Sequence, residues 1–384
     1  MSVRINGTTG VTTPNLTATT KVTTADLANT GNYNGGQLGN RNLIINGAQT
    51  IDQRRNGSSV SIPSVTTVVT DRWNPINRPS AGGLMSGQQV TDSPAGFSNS
   101  LKLTVSTADS SLGTSDYYFL WQKIEGFNSA HLSYGTSDAV STTLSFWVKS
   151  SVAGQYSGFI INGAENYSCN IPYSIESAGT WEYKTITFPG APAGTWIGST
   201  NGKAMMVGFG LANGTGLQSS TTSWQETFKY GSSGDVNWMA SSGNTFQVTG
   251  IQFEVGDTAT PFEHRSYGDE LARCQRYCYV FKQENSQYGG LVTFANAYSS
   301  ANIQGGKPLP VQMRAKPTLT FTGNIQVSEG TNLHNSSATS VLGNGSSVDQ
   351  LHFWIGNFSG LTTNQGYFAN MQISGQIFIV DAEL

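Results

Sequence analysis

Eight tryptophans stand in a chain whose polar residues are mostly uncharged, and they are the side chains with the clearest chemistry to offer. An indole face flanked by Asn, Gln or Asp stacks on the apolar side of a sugar ring while the neighbouring polar groups take its hydroxyls. Trp196, Trp224 and Trp238 sit beside Gly, Ser and Thr in apparent loops and are the expected glycan platforms. Trp147 and Trp181 lie within alternating segments, where burial in a core is the expected outcome because it is a large gain.

Other chemistries find less support. Asp71, Glu125, Glu165, Glu182 and Glu226 are scattered singletons, whereas glycoside hydrolysis needs two acids facing one groove at about 5 to 10 Å. His131, His264, His334 and His352 have no companion at metal-ligand spacing, so no transition-metal site is expected. Asp71 and Glu254, with nearby carbonyls, are candidates for a structural calcium ion. An ion pair from either acid to Arg72 or Arg265 is the simpler expectation. Gly208-Phe209-Gly210 lies inside a strand and not at a strand-to-helix turn, which removes a dinucleotide reading. No Gly-x-Ser-x-Gly elbow with a matching His and Asp is present. Cys169, Cys274 and Cys278 form no even framework and are expected as packed thiols.

Composition narrows the partners. Only 11% of residues are charged, 37% are hydrophobic and 45 are glycine, the balance of an all-β protein with a Ser, Thr and Asn surface. A net charge of -3 and a pI near 5.8 leave no basic footprint, so neither nucleic acid nor an anionic membrane is an expected partner. No basic start leads into an apolar run, so no signal peptide is expected, and nowhere do enough apolar residues run together for a membrane span. The chain is therefore expected to be made in a cytoplasm.

The elements that must position these residues read as strands. Residues 1–40 are rich in Thr, Gly and Asn, with only Val3, Ile5, Val11, Leu16, Val22 and Leu27 as scattered apolar side chains. Such a segment buries too little to offset its own ordering. It is expected to lie as extended strands along a partner subunit, attached through those six residues; folding back on its own chain is the alternative. From Asn42 the pattern becomes short strands punctuated by Gly, Asn and Pro: Leu43–Ile45, Ser100–Val105, Tyr117–Trp121, Thr142–Val148, Gly158–Ile161, Trp181–Phe188, Ala204–Leu211 and Thr245–Val255. The expectation is an all-β fold, a jelly-roll β-sandwich over 41–265. One short helix and connector follow over 266–281, where Leu271, Cys274, Tyr277 and Cys278 recur at helical spacing and Asp269 and Glu270 precede Arg273 and Arg276. A second, C-terminal β domain spans 282–384, with strands at Leu291–Phe294, Pro308–Met313, Thr318–Phe321, Ile325–Val327, Leu351–Ile355 and Gly375–Val380. Its polar stretch Asn332 to Asp349 reads as an exposed tip loop, and Asn335, Ser336 and Ser337 there are further glycan-contact candidates.

Several motifs carry a family resemblance that covers about residues 41 to 280. They are Asn42-Leu43-Ile44-Ile45-Asn46-Gly47, Asp71-Arg72-Trp73, Ser145-Phe146-Trp147-Val148-Lys149-Ser150, Thr180-Trp181-Glu182-Tyr183, Gly194-Thr195-Trp196, Phe253-Glu254-Val255-Gly256-Asp257 through Pro261-Phe262-Glu263, and Cys274-Gln275-Arg276-Tyr277. Together they resemble fibre and appendage proteins of tailed bacteriophages, especially of marine and cyanobacterial hosts. The opening and closing strands also resemble galactose-binding-type carbohydrate-binding modules, in which first and last strands pair and the last carries an acid, the place of Glu254.

The resemblance implies a virion structural protein, fibre-like, with other virion proteins and a host-surface glycan as partners and the particle as its location. A homotrimer is expected, since three-fold appendages let edge strands meet one another. Lys307 to Thr318 resembles the tip regions that follow such modules. A capsid head fibre or decoration protein, and a fibre-borne polysaccharide depolymerase, are the alternatives.

Overall fold

In a computed structural model the described residues are 39–63, 67–80, 82–282, 289–337, 341–371 and 377–384, together with two short strands, Ile5–Asn6 and Gly10–Val11. The backbone register of that small antiparallel pair sets Ile5 opposite Val11. Val3, Leu16, Val22 and Leu27 lie outside the described residues.

Eleven strands build the sandwich: β1 (Val60–Ile62), β2 (Asn74–Arg78), β3 (Leu84–Val90), β4 (Ser100–Thr107), β5 (Tyr117–Glu125), β6 (Thr142–Ser150), β7 (Gly154–Asn162), β8 (Ser168–Ile175), β9 (Glu182–Phe188), β10 (Lys203–Asn213) and β11 (Thr245–Val255). They form a six-stranded sheet in the order β9-β6-β11-β4-β3-β1 and a five-stranded sheet in the order β8-β7-β10-β5-β2, antiparallel throughout. The fold is an all-β jelly-roll sandwich. Its core follows from the period of two. Leu144, Phe146 and Val148 of β6, Leu101, Leu103 and Val105 of β4, and Phe246 and Val248 of β11 all point between the sheets. Aromatic rings fill the middle, with Phe146 and Phe209 4.7 Å apart edge-to-face and Trp73 stacked on Phe209.

The five-stranded sheet does not leave its outer face bare. Phe119, Trp121, Phe159 and Met206 on that face are capped by Leu217 and Tyr230, carried on the long segment between β10 and β11. Among the described residues no such cover lies over the β6–β9 corner of the six-stranded sheet's outer face.

Residues 41–50, expected to open with a strand, are irregular, although they do run beside β11. Leu43 donates its N–H to Phe253 O at 2.8 Å, and Ile251 donates to Gly47 O at 3.0 Å. Side-chain amides take the place of the missing ladder. Asn42 Oδ1 accepts from Ile44 and Phe253, while Asn46 is bonded to the backbone of Ile51 and Asp71.

After the sandwich comes α1 (Tyr267–Gln275), capped by Ser266, whose hydroxyl accepts from Asp269 N–H. Then follow β12 (Cys278–Lys282), β13 (Gly289–Ser299), β14 (Asn302–Pro308), β15 (Thr318–Thr322), β16 (Ile325–Glu329), β17 (Asn332–Asn335), β18 (Val341–Asn344), β19 (Gln350–Ile355), β20 (Gly366–Met371) and β21 (Ile377–Asp381). A three-stranded sheet, β12-β21-β15, packs with a seven-stranded one, β17-β16-β20-β13-β14-β19-β18, around Ile303, Tyr367, Phe353 and Phe378.

Two expectations fail here. Leu309 to Met313 is not a strand; its prolines leave an irregular crossing in which Leu309 and Met313 anchor to Asp349 O and Val348 O. The stretch Asn332 to Asp349 is not one loop, because β17 and β18 pair with β16 and β19 within it; residues 338–340 lie outside the described ones.

The sandwich and the C-terminal sheets meet in a dense junction. Ile45 and Ile51 pack on Cys274 and Tyr277 of the helical connector. Around them, fully buried Glu125 accepts from Arg276 at 2.9 and 2.5 Å and from the Tyr277 hydroxyl at 2.7 Å. Arg54 pairs with Asp381 at 2.8 Å and with Glu383 at 3.4 Å, and Arg72 pairs with Glu383 while its guanidinium lies 3.5 Å over the Tyr277 ring. Arg314 donates to Ala382 O, Glu383 O and Asn201 O. All three cysteines are buried, and burial pushes their thiols up, that of Cys169 to about 12.

Candidate functional site

The open corner of the six-stranded sheet holds a groove of about 670 Å³. Its floor follows from strand register. Across β9, β6 and β11, Tyr183, Trp147 and Thr249 stand in one row, and Thr187, Thr143 and Glu254 stand in another. Between them run Thr185, Ser145 and Gln252. The sheet therefore presents an aromatic pair, with rings 5.4 Å apart, beside the hydroxyls of Ser145, Thr185 and Thr187, while Gln252 and Glu254 are buried. Tyr183 is 45% exposed.

The walls come from outside the ladder. Phe97, on the turn between β3 and β4, packs edge-on to Phe262 at 5.1 Å and against His264 at 5.4 Å. Phe97 is seated by a bulge in β11, where Gly250 has a φ of +61°. A Cβ at Gly250 would lie 2.6 Å from the Phe97 ring, so glycine is needed for both the turn and the close approach.

The loop after β11, which carries Phe262 and His264, continues this wall. Buried Glu254 holds it down, accepting from Thr260 N–H at 2.9 Å, Thr260 Oγ1 at 2.6 Å and Gln252 Nε2 at 2.8 Å. Thr143 Oγ1 donates to Gly256 O at 2.8 Å, and Thr187 Oγ1 donates to Asp257 O at 3.1 Å.

Beyond Trp147 the sheet face ends in a polar cluster. Lys149 pairs with Asp92 and lies 5.2 Å over the Trp181 ring, and Trp181 Nε1 and Gln247 Nε2 both donate to the same carboxylate. The hydrogen bond from Lys149, against a smaller opposing effect of burial, holds Asp92 low, at about 2.

The structure places the sequence candidates differently from expectation. Trp147 and Trp181 face outward on the six-stranded sheet, not into the core. The parity of β6 shows why, since Trp147 shares its face with Ser145 and Lys149 while Phe146 and Val148 turn inward.

Trp238 is fully buried against the sandwich and offers no ring face to a ligand. Trp196 and Trp224 are half-buried in an aromatic cluster with Tyr134 and Tyr167, and donate their indole N–H groups to Ala193 O and Pro189 O. Trp224 still lines a second hollow, of about 550 Å³.

Asn335 and Ser337 are exposed, but Ser336 is buried. Its hydroxyl accepts from Ile325 N–H at 3.0 Å, and its own N–H donates to Ile325 O, closing the β16–β17 hairpin. Ser336→Ala should therefore lower unfolding free energy by about 1 kcal/mol in a denaturant titration and leave glycan binding unchanged.

The calcium candidates stand apart, each with organic partners. Asp71 lies 3.7 Å from Arg54 and accepts from Gln53, and burial raises its carboxyl to about 6; Glu254 is the loop anchor already described, with Arg41 at 3.5 Å. Neither pairs with Arg72 or Arg265, which are committed to Glu383 and to Glu263 and Glu270. Among the described residues no group of three His, Cys, Asp or Glu side chains could hold a metal ion. Among them, too, no helix is long and apolar enough to cross a membrane.

No family model matches the chain, and no curated protein matches it. Among solved structures it is similar to the enzymatically active domain of tailspike protein 4 of bacteriophage CBA120, with 14% identity and a TM-score of 0.30. That likeness covers 56% of this chain, which spans about a fifth (21%) of the tailspike chain. It is also similar to a family 4 carbohydrate-binding module (14% identity, TM-score 0.29, 55% of this chain and 98% of that one). A third similar structure is a family 11 carbohydrate-binding module from Clostridium thermocellum in complex with a β-1,3-1,4-mixed-linked tetrasaccharide (15% identity, TM-score 0.27, 54% and 98%). Likenesses at these levels carry no function over to this chain.

Proposed function

We propose that this chain is a glycan-binding appendage protein of a bacteriophage particle, and that it holds a neutral saccharide in the groove of the six-stranded sheet. The observation that carries the binding reading is the Trp147–Tyr183 pair, standing at the surface beside the hydroxyls of Ser145, Thr185 and Thr187. Two adjacent rings give a sugar its stacking surface, and hydroxyls at strand spacing take its oxygens. The lining holds one carboxylate, Asp257, and no Lys or Arg, which suits an uncharged ligand. Hydrolysis uses two facing carboxylates and the lining has one, so we read the groove as holding sugar and not cutting it. The phage setting is supported by the motif resemblance over residues 41 to 280; attachment through the N-terminal arm and a trimeric state belong to the same proposal.

Trp147→Ala and Tyr183→Ala should each weaken binding to host-surface polysaccharide at least about tenfold, a loss of about 1.4 kcal/mol, in affinity electrophoresis or calorimetry. Both side chains lie outside the core, so melting temperatures should hardly move. Full affinity in both variants would sink the groove as the binding site.

A further inference from the structure

Three surface hollows share walls in series. Thr187 lines both the groove and the hollow beside Trp224, and Thr222 lines both that hollow and a third, of about 370 Å³, between Gln155, Ser220 and Ser233. The path crosses the edge strand β9 and passes Pro189 toward β8 on the opposite sheet.

From these shared walls we infer that the groove is the first part of one continuous trench, and that its ligand is a long, neutral, polyhydroxylated chain and not a terminal sugar. This rests on the glycan-binding reading above and extends it. The lining alternates in kind along the way. Trp147 and Tyr183 come first, then the hydroxyl of Thr187, then Trp224 stacked on Tyr167 with planes 4° apart, then Thr222 and a bed of serines. From the edge strand onward no charged side chain lines either hollow. A polyanion would meet no cation there, and an apolar chain would strand the hydroxyls, so a polysaccharide with uncharged sugars is the chemistry that fits. From Tyr183 to Thr187 alone the floor runs about 13 Å along the strand, and the hollow at Pro189 lies beyond, so separate units of one chain would occupy the separate rings.

Calorimetry of the whole chain against β-linked glucose, xylose and galactose oligomers, from disaccharide to octasaccharide, tests this. Affinity should climb with oligomer length by about tenfold or more for the sugar that binds. Trp224→Ala should bind the short oligomers like the wild type and lose the gain from length. Because Trp224 also packs on Tyr134 and Tyr167, Ser220→Glu serves as a second variant; the residue is exposed, and a bulky charge there should blunt the same gain without touching the fold.

Equal affinity for short and long oligomers, or a wild-type length profile in both variants, overturns the trench and leaves the groove standing. Loss of the length gain in both variants supports it. Failure of every oligomer to bind, with Trp147→Ala indistinguishable from wild type, overturns both readings together.

Discussion

Glu125→Ala is expected to lower stability by about 3–5 kcal/mol, the cost of breaking a buried ion pair from one side. Glu125 has no exposed surface and ends β5 where the sandwich meets the helical connector. Its two oxygens take the Nε and Nη2 donors of Arg276 and the hydroxyl of Tyr277, so alanine would leave the half-buried guanidinium with only its Nη1 contact to Gln312 O and the buried phenol without its acceptor. The loss should appear as a lowered thermal midpoint and as faster proteolysis within 276–282. Glu125→Gln keeps the shape and some of the hydrogen bonds, and should cost less.

The pH dependence has a definite sign. Burial acts to raise the Glu125 carboxyl, but the hydrogen bonds from Arg276 and Tyr277 outweigh it and leave it below its ordinary value of 4.5. A folded-state value below the unfolded one stabilises fully above 4.5 and loses that contribution as pH falls through the folded value. The stability gap between the wild type and Glu125→Gln should thus hold steady from neutral pH and close in acid. A gap that stays constant into strong acid would mean that the charge on Glu125 is not what holds the junction.

Gly250→Val should cost about 3 kcal/mol and dismantle one groove wall. Two penalties meet at this position: a left-handed backbone that β-branched residues avoid, and a side chain driven into the Phe97 ring. Gly243→Ala provides the comparison, because Gly243 has a φ of +87° with nothing within 4 Å of an added Cβ and so incurs the backbone term alone, about 1 kcal/mol. If denaturant titrations gave the two variants equal losses, contact with Phe97 would not be part of the cost. Since Phe97 also holds Phe262 and His264, glycan affinity should fall in Gly250→Val and not in Gly243→Ala.

What was legible in the sequence was the part written in periodicity and punctuation. Alternation in Ser100–Val105 and Thr142–Val148 marks real strands, and Asp269 and Glu270 ahead of Arg273 mark the short helix α1. The short motifs were also legible, but their roles were not. Asn42, Asn46, Asp71, Arg72, Arg276 and Tyr277 stand out because irregular backbone and buried charge need particular side chains, and the structure spends them on the junction.

The groove was hidden for the opposite reason. A ladder of Thr, Ser, Trp and Tyr on an outer face uses ordinary strand residues, and only counting parity from Phe146 would have turned Trp147 outward. Trp238 misled because a tryptophan in a Ser- and Gly-rich neighbourhood can still plug a sandwich end, as its complete burial does here. Ser336 misled likewise, its polar run concealing a hairpin.

The arginines of the junction also set an order on biosynthesis. Arg54 finds Asp381 and Glu383 more than three hundred positions downstream, and Arg72 waits for the same Glu383. A ribosome delivers the sandwich first, so until β21 is made Arg54 has Asp71 but neither Asp381 nor Glu383, and Arg72 lacks Glu383. The nascent sandwich is thus incomplete until residues 381–383 emerge, so the final strand of the second unit and the residues just after it lock the first.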